Sequence, residues 1–173
     1  MPKTKTTLIF TILLAFCVIV FGAYVRLTDA GLGCPDWPGC YGFMTVPDTA
    51  EELSAVEESF PGQVVEPGKA WREMIHRYIA SLLGLLILIL FVSEALKKNK
   101  TVFSDNFNLK ISLLLLLLVI FQGLLGMWTV TLKVHPFVVL AHLVGGLSTL
   151  SLLFIYLKRI SAPTKPRTNF TGL

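Results

Sequence analysis

Glu73, His76 and Arg77 put a carboxylate, an imidazole and a guanidinium into one short stretch, Trp71-Arg72-Glu73-Met74-Ile75-His76-Arg77. The chain that follows, Ile79 to Val92, carries no charge and no strong polar group except Ser81. Glu73 and His76 are three apart and Glu73 and Arg77 four apart, so a helix puts all three on nearly one face. Ionisable groups inside a membrane-length segment are costly, and they face a bundle interior or a cavity. The alternative is an interfacial helix end whose side chains snorkel to water. The imidazole of His76 is too short to reach far, which weighs against that alternative.

His142 supplies a second imidazole in a different apolar run. A single helical histidine is more often a hydrogen-bonded packing residue than a ligand. Two at one depth on different helices can share a centre, and imidazole ligates transition metals and haem iron. His76 lies about five residues into its run, His142 about six, and Gln122 about seven or eight from the end of a third. At about 1.5 Å per residue all three fall roughly 7–12 Å below one membrane surface. Gly145 and Gly146 follow His142, and Gly84 lies two turns beyond His76. Small residues there fit a flat macrocycle, and they also fit plain helix–helix packing. His135, beside Pro136, reads as interfacial. No Cys or His cluster has zinc spacing.

Four apolar runs must position these groups: 6–25, 71–92, 109–130 and 136–157. Each reaches about 30 Å as a helix, the thickness of the hydrocarbon layer. The chain has 173 residues with only 15% charged, and its mean hydropathy is +0.70. That is a membrane composition. The expected fold is an all-α integral membrane protein, an antiparallel four-helix transmembrane bundle forming a single domain over 1–173. The first run is too long for a signal peptide and lacks a small-x-small cleavage site, so it reads as a retained helix. Net charge is +4, and the basic residues sit at span ends without aromatic interleaving, so nothing points to nucleic acid.

Lysine and arginine set the orientation. Lys3 and Lys5 precede the first run; Lys97, Lys98, Lys100 and Lys110 lie between the second and third; Lys158, Arg159, Lys165 and Arg167 follow the fourth. The long connection 26–70 has only Arg26 and Lys69. The positive-inside rule then puts both termini in the cytoplasm and loop 26–70 outside, in the periplasm or cell exterior of a bacterium's inner (plasma) membrane. The Asn169-Phe170-Thr171 sequon falls on the wrong side and reads as chance.

Within the loop, Arg26 to Gly42 is dense in Gly, Pro, Cys and Trp, a compact turn-rich segment. Thr45 to Gly68 is acidic. Its stretch Ala50 to Ser59 fits a short surface helix with Asp48 or Thr49 as N-cap, although a solvated spacer is the preferred reading. Cys34 and Cys40 lie on the oxidising side, where an oxidised pair is expected. With five residues between them the closed ring is small and gains little entropy. The pair is either a shape device, the preferred reading, or a redox couple. Cys17, in the first run, reads as a buried inert thiol.

Arg26-Leu27-Thr28-Asp29-Ala30-Gly31-Leu32-Gly33-Cys34-Pro35-Asp36-Trp37-Pro38-Gly39-Cys40 resembles the first outer loop of haem A synthases. Glu73-x-x-His76-Arg77 is similar to their second-helix motif. Gln122-Gly123-Leu124-Leu125-Gly126, Thr129-Val130 and His142-Leu143 resemble helices three and four. The resemblance runs from Val25 to Leu147, and the loop motif is its most specific part. It implies a membrane enzyme of cytochrome oxidase biogenesis that oxidises one ring methyl of haem O to a formyl group, with haem B as cofactor. It implies His76 and His142 as axial ligands, Glu73 as the essential carboxylate, and Cys34–Cys40 as a conditional disulfide. Arg77, Gln122, Gly145 and Gly146 would line the haem pocket or meet a propionate.

The family's usual chain has eight spans in two similar halves, each with a histidine pair. This sequence resembles the N-terminal half, and Met127 stands where a glycine would follow Gly126. The polar tail after Leu157 reads as a natural terminus, which implies a half-size protein that pairs with a second copy or a second half-size subunit. Haem O synthase and cytochrome oxidase assembly factors are the implied partners. Two other functions follow in rank: a non-catalytic haem-binding or haem-delivery protein, and a membrane thiol–quinone oxidoreductase using Cys34 and Cys40. Arg77 decides much. Paired with a haem propionate it leaves Glu73 free for charge stabilisation at the ring edge. Paired with Glu73 it makes that carboxylate structural.

Overall fold

The computed structural model describes residues 2–97 and 107–162. Lys98, Lys100, Lys165, Arg167 and the 169–171 sequon lie outside the described residues. Five helices follow in order: α1 (Pro2–Leu27), α2 (Ala50–Ser59), α3 (Pro67–Ala95), α4 (Phe107–Thr131) and α5 (Pro136–Ser161). Four of them, α1, α3, α4 and α5, are long and apolar enough to cross a membrane. In hydrocarbon a helix satisfies its backbone groups within itself, which is why these Leu-, Ile- and Val-rich runs take no other form. Proline at the start of α3 and α5 suits the first turn, where its missing N–H costs nothing.

The spanning helices form a ring. α1 touches α3 and α5, and α4 touches α3 and α5, while the diagonal pairs α1/α4 and α3/α5 make no backbone approach. The histidine-bearing helices α3 and α5 are therefore opposite one another. The core lies toward the end away from the long loop, where Leu8, Ile12, Ala15, Leu83, Ile87, Leu90, Ile111, Leu115, Leu153 and Tyr156 interlock. Outward residues such as Phe10, Leu13 and Phe16 remain exposed, as a lipid-facing surface requires.

Loop 26–70 has its own small core. Cys34, Cys40, Tyr41, Val46 and Val56 pack on Ala70 and Met74 of α3, with Phe43, Phe60 and Val65 against them. The preferred reading of a solvated spacer over 45–68 is thereby corrected: its apolar residues Val46, Val56, Phe60 and Val65 fold back onto the cysteine segment. Ala50–Ser59 is a helix, and Thr49 is its N-cap in a capping box with Glu52. Cys17 is a second correction. It is exposed on α1 rather than buried, because it faces away from the ring.

Candidate functional site

The loop end of the bundle is built on three tethers from α3. Gly33 rides directly on the α3 backbone, and a Cβ there would meet Lys69 C at 2.6 Å. Glu73 accepts the Cys34 N–H at 3.0 Å and meets Arg77 Nη2 at 2.6 Å. Arg77 spends its remaining donors on the loop backbone: Asp36 O at 2.9 Å, Pro38 O at 3.1 Å, and Gly39 O. The loop answers with its own closure. Asp36 accepts the N–H groups of Tyr41 (2.6 Å) and Gly42 (2.8 Å), and Cys34 is disulfide-bonded to Cys40. Both cysteines are fully buried. Burial pushes the Tyr41 phenol above its ordinary range, and the carboxylates of Glu66, Asp36 and Glu73 add to that shift.

The Glu73–Arg77 pair is thus closed. That is the arrangement under which the sequence reading makes Glu73 structural. Arg77, likewise, is committed to the loop rather than held out toward a ligand.

One turn further along α3, His76 has a different environment. Its ring lies against α1 where Gly22 leaves space; a Cβ at Gly22 would meet His76 Cε1 at 2.8 Å. Phe21 stacks nearby, with ring centroids 6.4 Å apart and planes 26° from parallel. His142, on the opposite helix, lies beside Gly126 of α4, whose added Cβ would come 3.7 Å from His142 Cε1. His76 thus lies on the α1 side of the ring and His142 on the α4 side.

Three buried side-chain polar atoms among the described residues have no hydrogen-bond partner: His76 Nδ1, His142 Nδ1 and Gln122 Nε2. Buried polar groups are nearly always paired, and each exception requires an explanation. All three belong to this layer. The donor set, two opposed imidazoles in an apolar bundle, fits haem iron.

The glycines divide. Gly145 opens a slot that the Gln122 carboxamide fills, so closely that a Cβ there would overlap Gln122 Nε2. Gly146 faces Ile19 of α1 at ordinary contact distance. A Cβ at Gly84 would meet nothing within 4 Å, so Gly84 brings no neighbouring helix close. His135 is the exposed N-cap residue of α5, stacked on Phe137.

Sequence reasoning missed Gly22 and Phe21. Gly22 was reachable: it lies five residues from the end of α1, the depth of His76, and is a lone glycine in an apolar span. It also missed a second polar cluster at the far end of the bundle. There Tyr156 Oη donates to the buried Glu94 carboxylate at 2.7 Å, and Lys97 pairs with the same carboxylate.

The family model for the cytochrome oxidase assembly proteins COX15-CtaA matches residues 5–172. The chain is 51% identical over 163 residues to the protein named Heme A synthase of Shewanella oneidensis; the match covers 94% of this chain and 45% of that relative. It is 34% identical over 88 residues to the Heme A synthase of Shouchella clausii, 51% of this chain and 24% of that relative. The chain spans about half the length, or less, of the curated relatives it matches.

Proposed function

This chain belongs to the COX15-CtaA family of cytochrome oxidase assembly proteins, and on that footing we propose that it provides a haem-binding half-site for haem A synthesis. In that reaction a ring methyl of haem O is oxidised to a formyl group. The observation that carries the reading is the layer of unpartnered polar atoms in which His76 and His142 oppose each other across the bundle. His76 and His142 would hold the haem iron through their imidazoles. Haem O held there would be the substrate; its methyl and one water give the formyl group, four protons and four electrons, so the step requires an electron acceptor from outside the chain.

The protein's own residues do the holding. Gly22 and Gly126 give the imidazoles room, and Phe21 flanks the His76 ring. Gly145 and Gly146 bring α4 and α1 close to α5 in the same layer. The disulfide loop closes the end of the site and excludes water, fixed by Glu73 and Arg77. In relatives of twice this length a second half is present, so we assign the complementary site, with its haem B cofactor, to a second copy or another half-size subunit. The basic residues at the far end, Lys97, Lys110, Lys158 and Arg159, support placing that end in the cytoplasm and the loop outside the plasma membrane. Haem O synthase would supply the substrate and oxidase assembly factors would take the product.

One observation favours the second reading, a haem-binding or haem-delivery protein without chemistry of its own. Glu73 is occupied by Arg77 and the Cys34 N–H, so a catalytic role requires that pair to open. The thiol–quinone reading has less support, since both cysteine residues are buried against Ala70 and Met74. Purified protein loaded with haem gives the test. The proposal expects a low-spin spectrum that is lost in His76→Ala and in His142→Ala; retention in both ends it. Glu73→Gln then separates the two readings. With haem still bound, a shift of product from haem A toward haem O supports catalysis, and an unchanged haem A output removes Glu73 from it.

A further inference from the structure

Gln122 is the unpartnered group of this layer that carries no iron-ligating nitrogen. It sits on α4, one turn farther from the loop than Gly126, and its carboxamide fills the slot at Gly145, one turn past His142 on α5. The pairings Gly126 with His142 and Gln122 with Gly145 put the amide about 5 Å deeper than the imidazole. Nε2 is buried there with no acceptor. A buried unpaired amide is costly. Polar groups elsewhere in the interior avoid that cost by turning back on their own helices, as Thr11, Ser112 and Thr149 do. Gln122 does not.

A flat ligand held between α3 and α5 has α1 and α4 at its edges, because those helices alternate around the ring. Gln122 therefore addresses an edge. Iron porphyrin edges offer three kinds of group: methyl and vinyl, which accept no hydrogen bond; ionised propionates; and, in haem O, the neutral hydroxyl that carries the farnesyl chain. A propionate at this depth would need a cation, and the nearby guanidinium, Arg77, is spent on Glu73 and the loop. A neutral amide in a buried slot matches a neutral hydroxyl. The hydroxyl both donates and accepts, so the match holds for either orientation of the amide.

Resting on the reading that this half-site takes haem O, we infer that Gln122 is its specificity residue: its carboxamide binds the hydroxyl of the farnesyl-bearing side chain and so selects haem O over haem B. A site built to bond a hydroxyl rejects the analogue that lacks it, because its own polar group is then left unpaired. The same orientation sends the propionates toward the loop and the farnesyl tail along the apolar length of the bundle.

The test is equilibrium binding of haem O and haem B to the full chain, read by visible spectrum, in wild type, Gln122→Leu and Gln122→Met. The farnesyl tail favours haem O in every variant, so the readout is the change in the affinity ratio. Expected is a fall in the haem O preference of about tenfold in both variants, with haem B affinity unchanged and both haems low-spin. An unchanged ratio overturns the inference, as does equal binding of the two haems by wild type. Loss of both haems in Gln122→Met also overturns it, by making Gln122 a packing residue. Failure of wild type to give a low-spin spectrum with either haem is a different result: it removes the half-site reading, and this inference with it.

Discussion

Helix α3 buries a carboxylate near each of its ends, and the surroundings of the two differ in kind. Glu94 and Glu73 are equally buried, each 4% exposed, and each has a cation and a second donor. Around Glu94 the buried polar groups among the described residues have partners: Tyr156 donates to it, Lys97 pairs with it, and Ser112 returns to its own helix. Around Glu73 the carboxylate is equally well served, but the next layer holds His76, His142 and Gln122 with polar atoms unmet. Burial of a charge therefore does not by itself mark a ligand site here. The proposed half-site rests instead on the unmet neighbours. A protein retains such costs only where something else offsets them, and at the far end nothing needs offsetting.

The largest expected effect breaks the comparison at its centre. His76→Ala or His142→Ala should lower haem affinity at least about a hundredfold and abolish the low-spin spectrum, while chemical denaturation of the ligand-free protein changes little. A large loss of ligand-free stability with haem binding intact would make the imidazoles packing residues and erase the difference between the two ends.

Arg77→Leu comes next. It strips a buried carboxylate of its partner and frees three loop carbonyls, and removing one member of a buried pair costs about 3–5 kcal/mol. The loop should become a protease target between 26 and 70, read by limited proteolysis in detergent. An intact loop would show that the disulfide and the cysteine-segment core hold it without α3. At the far end, Tyr156→Phe leaves Glu94 with Lys97 alone and should cost about 1–3 kcal/mol. It should leave the haem spectrum untouched. A changed spectrum would mean that the Tyr156–Glu94 bond, which joins the two histidine helices, also sets their spacing at the iron.

Much of this was written in the sequence because the membrane leaves few options. Apolar length announced the four long helices that could cross a membrane, and depth arithmetic singled out His76, His142 and Gln122, whose buried nitrogens are the unmet ones among the described residues. The loop was harder. Val46, Val56, Phe60 and Val65 are spaced irregularly among acids, so no period announces that they share a core with Cys34 and Cys40. Arg77 shows a different limit. Sequence spacing put it within reach of Glu73 but left a haem propionate open as its partner, and its bonds to Asp36, Pro38 and Gly39 span some forty residues and depend on the loop's path. The Glu94–Tyr156 bond is 62 residues apart, and neither residue lies in a pattern that singles it out.

The smallest expected effect lies in the loop's own helix and separates its stability from that of the site. Thr49 Oγ1 accepts the Glu52 N–H at 3.2 Å, and the Glu52 carboxylate accepts from Asp48 N at 3.0 Å and Thr49 N at 3.1 Å. Thr49→Ala removes half of that box and should weaken α2 by about 1 kcal/mol, seen as faster amide exchange over 50–59. The other half depends on charge. The two backbone donors, Asp48 first, hold the Glu52 carboxyl below its ordinary value of 4.5. A depressed folded value means that the contribution is fully present above the ordinary value and is lost as pH falls through the folded one. Amide protection over α2, corrected for the intrinsic pH dependence of exchange, should therefore fall on acidification below about pH 4.5. Glu52→Gln keeps a side chain that can close the box but cannot titrate, so it should flatten that dependence. If the acid response of α2 survives Glu52→Gln, the titrating group lies elsewhere among the loop carboxylates. If the haem spectrum follows α2 through the same pH range, the loop core and the histidine layer are one cooperative unit, and the division between them fails.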